Sequence, residues 1–489
     1  MGNSLNLIEN IVVVMLENRS FDNILGSLYP NSAQFEGLKF DGSMFNSYNG
    51  TKYSVTNTSS TSPFVTPTPD PGESFPDMNL QIFNTTDPAT GDVANMAGFV
   101  NDWMARVISQ SEYPGIPTDK ECFFVPSWPA LPRIPKPSAG DIMFYFTPSQ
   151  LPVTSTLAQS FGLSDAWFGS CPTQTYPNRF FVNCATSGGY VEDVDYPCNL
   201  EAWPKLPNIF QLLDGSGPSN PPNWKVYFHD FAVATLINYV LNSSPQVRNF
   251  DTTDFGGDTK HPTFLEDVQN QTLPKYSFIE PRYGGIDNLP PNDNHPPFDV
   301  RYGEILVGTI YNLLRGSSYY WPRTLLIITY DEHGGCYDHV IPPAAVAPGP
   351  SSTVLPNASS FGFNRYGPRV PAIFVSPYIP AGSIVRPAGF SYVQGDGTST
   401  TNGVTPFDHT SVIRTIVECF NIENGAAKLT ARDQNAPSLA DALTLDSSNM
   451  NNGPQSVPLP SVGGTLTGVP ESHLAQIYQA MLQKTGSAK

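Results

Sequence analysis

Two apolar runs, each ending in a pair of oxygen-bearing side chains, constrain this chain more than any other feature. The first is Ile11 to Leu16, followed by Glu17, Asn18, Arg19, Ser20, Phe21 and Asp22; the second is Thr324 to Tyr330, followed by Asp331, Glu332, His333, Gly334 and Gly335. Runs this apolar suit strands buried on both faces of a parallel sheet, and ligands bind beyond the carboxyl edge of such strands. Glu17, Asn18, Asp331 and Glu332 then converge on one crevice. Three carboxylates and an amide oxygen held together repel one another unless a cation lies between them, so the pattern predicts one divalent metal ion. The all-oxygen set favours Ca²⁺ or Mg²⁺, although Zn²⁺ also accepts carboxylates. The competing reading is that Asp331 or Asn18 merely caps a following helix; the shared ending of the two runs weighs against it.

The 489 residues suffice for a large α/β domain with long loops. With 49 Pro, 39 Gly and only 14% charged residues, the chain reads as loop-rich and globular. A formal net charge of −18 argues against nucleic-acid partners and against polybasic attraction to anionic membranes. An anionic substrate would have to be drawn in by a local cation. The cysteines show no zinc spacing; Cys184 and Cys198 flank a Gly/Asp-rich loop and could pair in an oxidising compartment, or remain buried thiols. The first strand begins at Ile11, which leaves no room for a signal peptide in the chain as given, and no apolar run is long enough for a membrane span. A secreted or periplasmic protein would have lost its leader; otherwise the chain is cytoplasmic. The oligomeric state stays open.

Strand and helix patterns alternate along the chain. Ser20 to Leu28 suits a short helix, and the stretch from Leu28 to Asn95, rich in Ser, Thr, Asn, Pro and Gly, reads as a lid or binding insertion without periodicity. Helical spacing recurs at Ala97–Ile108, Val153–Phe161, Pro177–Ala185, Ala232–Leu241, Val300–Leu314 and His409–Phe420, and strand-like runs at Lys225–Phe228, Tyr276–Glu280 and Val370–Ser376. The expected fold is a doubly wound, mainly parallel α/β sheet with helices on both faces and long loop insertions. Residues 1–445 form one such domain, and 446–489 a linker followed by a helix over Glu471–Gln483.

A transfer reaction on phosphorus or sulfur needs a nucleophile and donors for the charged oxygens besides a metal. Gly169 to Phe181 supplies a hydroxyl before a helix: Pro177 suits the first helical position, which places Thr175 among the free N–H groups and the positive dipole end. The plainer alternative is that Thr175 is a cap. His295, in Asn292-Asp293-Asn294-His295-Pro296-Pro297, and His229, at the end of a strand, can each donate to a phosphoryl oxygen or protonate a leaving group. Of His333 and His339, one could hold backbone and the other line the site. His409 suits bracing the start of a helix.

Five segments in order, Glu17 to Asp22, Thr175 to Arg179, Asn292 to Pro297, Asp331 to Val340 and Gly367 to Pro377, resemble the phosphoesterase family of phosphatidylcholine-type phospholipases C and acid phosphatases, within the alkaline phosphatase superfamily. The resemblance implies an alkaline-phosphatase-like fold, a metal site and a covalent phospho-enzyme. It makes Glu17, Asn18, Asp331 and Glu332 metal ligands, Thr175 the nucleophile, and His229 and His295 the groups that grip the phosphoryl. His339 joins them as a substrate-binding candidate.

The chain departs from that pattern at Asp70-Pro71-Gly72-Glu73, where family members commonly carry histidine in the last place. A carboxylate donates to phosphate only when protonated, so Glu73 either faces away or meets a cationic part of the substrate such as a choline headgroup. The expected activity is phospholipase C cleavage of phospholipid diesters, with acid phosphatase action on monoesters as the alternative. A catalytically silent phospholipid- or phosphate-binding protein is the alternative from another class. A sulfatase is disfavoured because Thr175 holds the place of the modified Cys or Ser and cannot yield the needed aldehyde.

Overall fold

The computed structural model describes residues 3–30, 32–110, 137–193, 205–215, 221–243, 246–251, 261–284, 289–349, 360–395, 397–426 and 428–462. The two runs that open the argument are the two central strands of an eight-stranded sheet. In chain order its strands are β1 (Asn10–Leu16), β2 (Gly162–Ser164), β3 (Trp224–Phe228), β4 (Val247–Asn249), β5 (Tyr276–Ile279), β6 (Thr324–Tyr330), β7 (Ala372–Val375) and β8 (Ser383–Ile384). Their order across the sheet is β8, β2, β7, β6, β1, β5, β3, β4. Only β7 runs against its neighbours; the other pairings are parallel.

Every residue of β1 and β6 is buried, as their unbroken apolar character requires of strands covered on both faces. Helices form the covering layers. Pro152–Ser160 packs on Arg301–Gly316, and Thr175–Cys184 on Thr410–Cys419. The doubly wound, mainly parallel expectation is therefore what the chain adopts.

Register then decides which side chains meet. Met15 pairs with Thr329 and Leu16 with Tyr330, so Glu17 and Asp331 are the next residues off adjacent parallel strands. On the other side Val14 pairs with Ile279 and Ile279 with Tyr227, which brings Glu280 and His229 to the same carboxyl edge.

Three expectations change. The helix expected to start at Pro177 starts at Thr175, with Gln174 at the N-cap. Ala232–Leu241 is a 3-10 turn at Val233–Leu236 and a short helix at Asn238–Leu241, because the Glu280 carboxylate accepts the N–H groups of Val233 and Ala234 at 3.1 and 2.7 Å and fixes the turn there. The Leu28–Asn95 stretch is not aperiodic: a hairpin joins Phe45–Tyr48 to Thr51–Ser54, and a helix spans Phe75–Phe83. Local signals existed for both. Asn49-Gly50 takes positive φ at both residues, the requirement of a two-residue hairpin turn, and Ser74 with Asp77 forms a capping box.

This stretch packs a small core of its own, with Leu38, Met44, Ile82, Phe99 and Trp103 against Tyr337, which carries Asp70 and Glu73 toward the sheet edge. Past Leu445, the extended segment to residue 462 is tied to the Arg301–Gly316 helix; Arg315 donates to Asn452 O at 2.7 Å and Asn312 to Val457 O at 3.0 Å. The helix expected at Glu471–Gln483 lies outside the described residues. Cys184 is a buried free thiol, and Cys198 lies outside the described residues. No helix of the described residues is long and apolar enough to cross a membrane.

Candidate active site

At the carboxyl edge of β1 and β6 the chain brings Glu17, Asn18, Asp331 and Glu332 together, all buried. Asp331 Oδ1 accepts the backbone N–H of Asn18 at 3.1 Å and that of Glu332 at 2.7 Å, so one carboxylate clamps both strand ends. Asn18 adopts φ +54°, a left-handed conformation that asparagine tolerates. Gly334, at φ +60°, leaves room for it: a Cβ there would fall 2.0 Å from the Asn18 carbonyl oxygen.

Arg179, on the Thr175–Cys184 helix, binds the same carboxylates from behind. Its Nε donates to Glu17 Oε1 at 2.9 Å and to Asp331 Oδ2 at 3.1 Å, and its Nη1 lies 3.4 Å from Glu280. The sequence argument gave neither Arg179 nor Glu280 a role. Arg179 lay in one of the quoted motifs without a partner, and Glu280 ends a strand just as Glu17 does.

The donor set can be tested for fit to a cation. Glu17 Oε2 and Glu332 Oε1 are buried and have no hydrogen-bond partner among the described residues. Burial, and then the charge of Asp331, push the Glu17 carboxyl well above its usual range despite Arg179; burial, then Glu73 and Asp331, do the same to Glu332. Partnerless, mutually repelling buried oxygens fit a divalent ion.

Thr175 is the first residue of its helix rather than a cap. Its Oγ1 donates to Asn18 Oδ1 at 3.5 Å, so the hydroxyl faces the amide oxygen of the proposed ligand set. The next N–H of the helix, that of Tyr176, is taken by Asp193 Oδ1 at 2.9 Å, and is not spare for an oxyanion.

His295 is in the same cluster. Its Nδ1 lies 2.6 Å from Pro296 O and its Nε2 2.8 Å from Asn18 Nδ2. The acceptor carbonyl puts the proton on Nδ1 and leaves Nε2 with its lone pair. Glu73 does not face away: Asn18 Nδ2 donates to its Oε2, and His295 Nε2 is 3.7 Å from it. His229, just past the end of β3, packs against Phe250 with ring centroids 4.6 Å apart and has Arg282 3.5 Å from its Nδ1.

His339 belongs elsewhere. Its Nδ1 is 2.6 Å from Asp22 and its Nε2 3.0 Å from Glu36, so both nitrogens serve buried carboxylates and neither is left for substrate. His333 Nε2 is 2.6 Å from Gln81 Oε1. His409 stands at the N-cap of the Thr410–Cys419 helix, but its side chain makes no capping hydrogen bond there; its Nε2 instead lies 2.6 Å from the backbone oxygen of Asp331.

Residues 8–423 match the family model described as Phosphoesterase family. Non-specific phospholipase C1 of Arabidopsis thaliana is 34% identical over 92% of this chain and 74% of its own length. Phospholipase C B of Mycobacterium tuberculosis is 28% identical over 57% of this chain and 52% of its own. Among solved structures, the lipoteichoic acid synthase LtaP from Listeria monocytogenes is 14% identical with a TM-score of 0.34, covering 69% of this chain and 86% of that one.

Proposed function

The chain belongs to the phosphoesterase family and is a hydrolase acting on phosphoester bonds; from this we propose that it cleaves phospholipid phosphodiesters in the manner of a phospholipase C, with one divalent ion and a phospho-threonine on Thr175. The observation that carries the reading is Thr175 Oγ1 3.5 Å from Asn18 Oδ1, in a chain where Glu17 Oε2 and Glu332 Oε1 have no hydrogen-bond partner among the described residues.

Glu17, Asn18, Asp331 and Glu332 would hold the ion, and their oxygen chemistry favours Ca²⁺ or Mg²⁺. When bound, such an ion supplies Lewis acidity, lowering the pKa of a nearby hydroxyl and offsetting charge on phosphoryl oxygens. Thr175 Oγ attacks phosphorus, and its new bond forms as the bond from phosphorus to the glycerol oxygen breaks. Diacylglycerol leaves with a proton. Water then attacks the phospho-threonine, releases the phosphorylated headgroup and restores the hydroxyl.

His295 is the proton carrier of this reading, which is supported by its Nδ1 lying 2.6 Å from Pro296 O and its Nε2 2.8 Å from Asn18 Nδ2. Neutral, it accepts a proton there; protonated, it gives one to the departing oxygen. His229 is the second imidazole of this reading, gripping a phosphoryl oxygen. His339 has no such place, being held by Asp22 and Glu36.

Acid-quenched turnover of a phosphatidylcholine labelled at phosphorus tests the proposal. Label should appear on Thr175 in the wild type and be absent from Thr175→Val, which keeps the shape and loses the oxygen. Equal turnover by the two proteins would remove Thr175 from the reaction.

A further inference from the structure

We infer that Arg19 is a positioning residue for His295, its guanidinium holding in place the peptide unit that leads into the imidazole. The inference rests on the reading of His295 as a group that acts on the substrate. Arg19 directly follows Asn18 and is fully buried. Its backbone N–H donates to Glu332 O at 3.1 Å, so its own place is set by the ends of both central strands.

The side chain spans two loops. Nε donates to the carbonyl oxygen of Asn294 at 2.7 Å and Nη1 to that of Thr66 at 2.5 Å, with Asn23 Oδ1 3.4 Å from Nη1. The Asn294 carbonyl belongs to the same peptide unit as the N–H of His295, and Asp293 Oδ1 accepts that N–H at 3.0 Å. A planar peptide gripped at its oxygen and at its nitrogen is held against rotation, so the Arg19 bond helps to set the direction in which the imidazole leaves the backbone. Asn294 itself takes φ +74°, and its side chain donates to the Tyr330 hydroxyl at 2.7 Å. The loop is thereby anchored to β6 through a side chain and to the end of β1 through Arg19.

The choice of acceptors separates this arginine from Arg179. Arg179 gives its donors to the carboxylates of Glu17 and Asp331, whereas those of Arg19 go to neutral oxygens, and its Nη2 has no hydrogen-bond partner among the described residues. Burial pushes the Arg19 pKa down. A charge in such surroundings costs folding energy that neutral acceptors offset only in part, so its contribution is geometric more than stabilising. The planar fork sends Nε and Nη1 to carbonyls of two different loops, a task for which the single ammonium of a lysine is not shaped.

A double-mutant cycle on the full chain, with dihexanoyl phosphatidylcholine as substrate and saturating Ca²⁺, tests the inference. Arg19→Met keeps the stem and removes the donors; it should lower kcat about 10- to 100-fold with KM changed by less than about threefold, the pattern of a displaced catalytic group. His295→Gln should lose about 100-fold or more in kcat. Adding Arg19→Met to His295→Gln should then cost less than about threefold further, because the group it positions is already gone. Arg19→Lys, which keeps the charge and loses the fork, gives the same reading should Arg19→Met fold poorly, as judged by its circular dichroism. An equal fold-loss of kcat on the wild-type and His295→Gln backgrounds, a loss confined to KM, or wild-type kcat in a folded Arg19 variant would overturn the inference and leave His295 standing. Wild-type kcat in His295→Gln would instead remove His295 from the reaction, and with it the reading on which the role of Arg19 rests.

Discussion

The imidazole of His409 holds the backbone of Asp331, with Nε2 2.6 Å from the carbonyl oxygen. Its Nδ1 accepts the indole N–H of Trp167 at 3.2 Å, so the ring is fixed at both ends and burial keeps it neutral by lowering its pKa. His409→Ala should therefore weaken metal retention about 10- to 100-fold, the usual cost of losing support behind a ligand. The measurement is the Kd for Ca²⁺ or Mn²⁺; an unchanged Kd would show that Asp331 needs no such brace.

Asp331 clamps the N–H groups of Asn18 and Glu332 and also faces Arg179. Asp331→Ala should abolish both metal retention and turnover of a phosphodiester. Stoichiometric metal in an active Asp331→Ala protein would refute the assigned ligand set.

At Thr175 the hydroxyl, not the methyl, is the reacting group in the proposed mechanism. Thr175→Ala should lose about a thousandfold in kcat/KM or more, whereas Thr175→Ser should retain a substantial part. Similar losses in both would argue that the methyl group packs the site and the hydroxyl does not react.

Gly334 takes φ +60°, and any side chain there meets the Asn18 carbonyl oxygen. Gly334→Ala should destabilise the fold by about 1–3 kcal/mol through backbone strain, and should displace Asn18 enough to lower metal affinity. Urea unfolding and metal titration of the same protein give the two readings. Wild-type values in both would mean that the loop relaxes without cost.

His339 gives stability a pH dependence of defined sign. Burial lowers its pKa, but the charge of Asp22 and the bonds to Asp22 and Glu36 more than offset this and hold it at about 9, above the value near 6.5 of an unfolded chain. A raised folded pKa means that its contribution is complete below about pH 6.5 and is lost as pH rises through about 9. Thermal unfolding at a pH series should show Tm falling over that window, and His339→Gln should flatten the fall.

Local chemistry alone was enough for the central strands and for the acids that end them. A short apolar run rich in Val and Ile suits a strand covered on both faces, and an acid placed directly after such a strand emerges at the edge. The convergence of the acids proposed as metal ligands was for that reason legible before any fold was known. What placed Glu17 beside Asp331 was the parallel register of Leu16 with Tyr330, a pairing between distant segments that no local pattern encodes. Tertiary packing also decided that Arg179 backs both carboxylates, that Glu73 turns inward beside Asp70 and His295, and that Glu36 and Asp22 occupy both nitrogens of His339. Each is a buried charge whose partner comes from another part of the chain. A buried charge takes whichever opposite charge or hydrogen-bond donor the fold brings within reach, and for that reason its role could not be read from its neighbours in sequence.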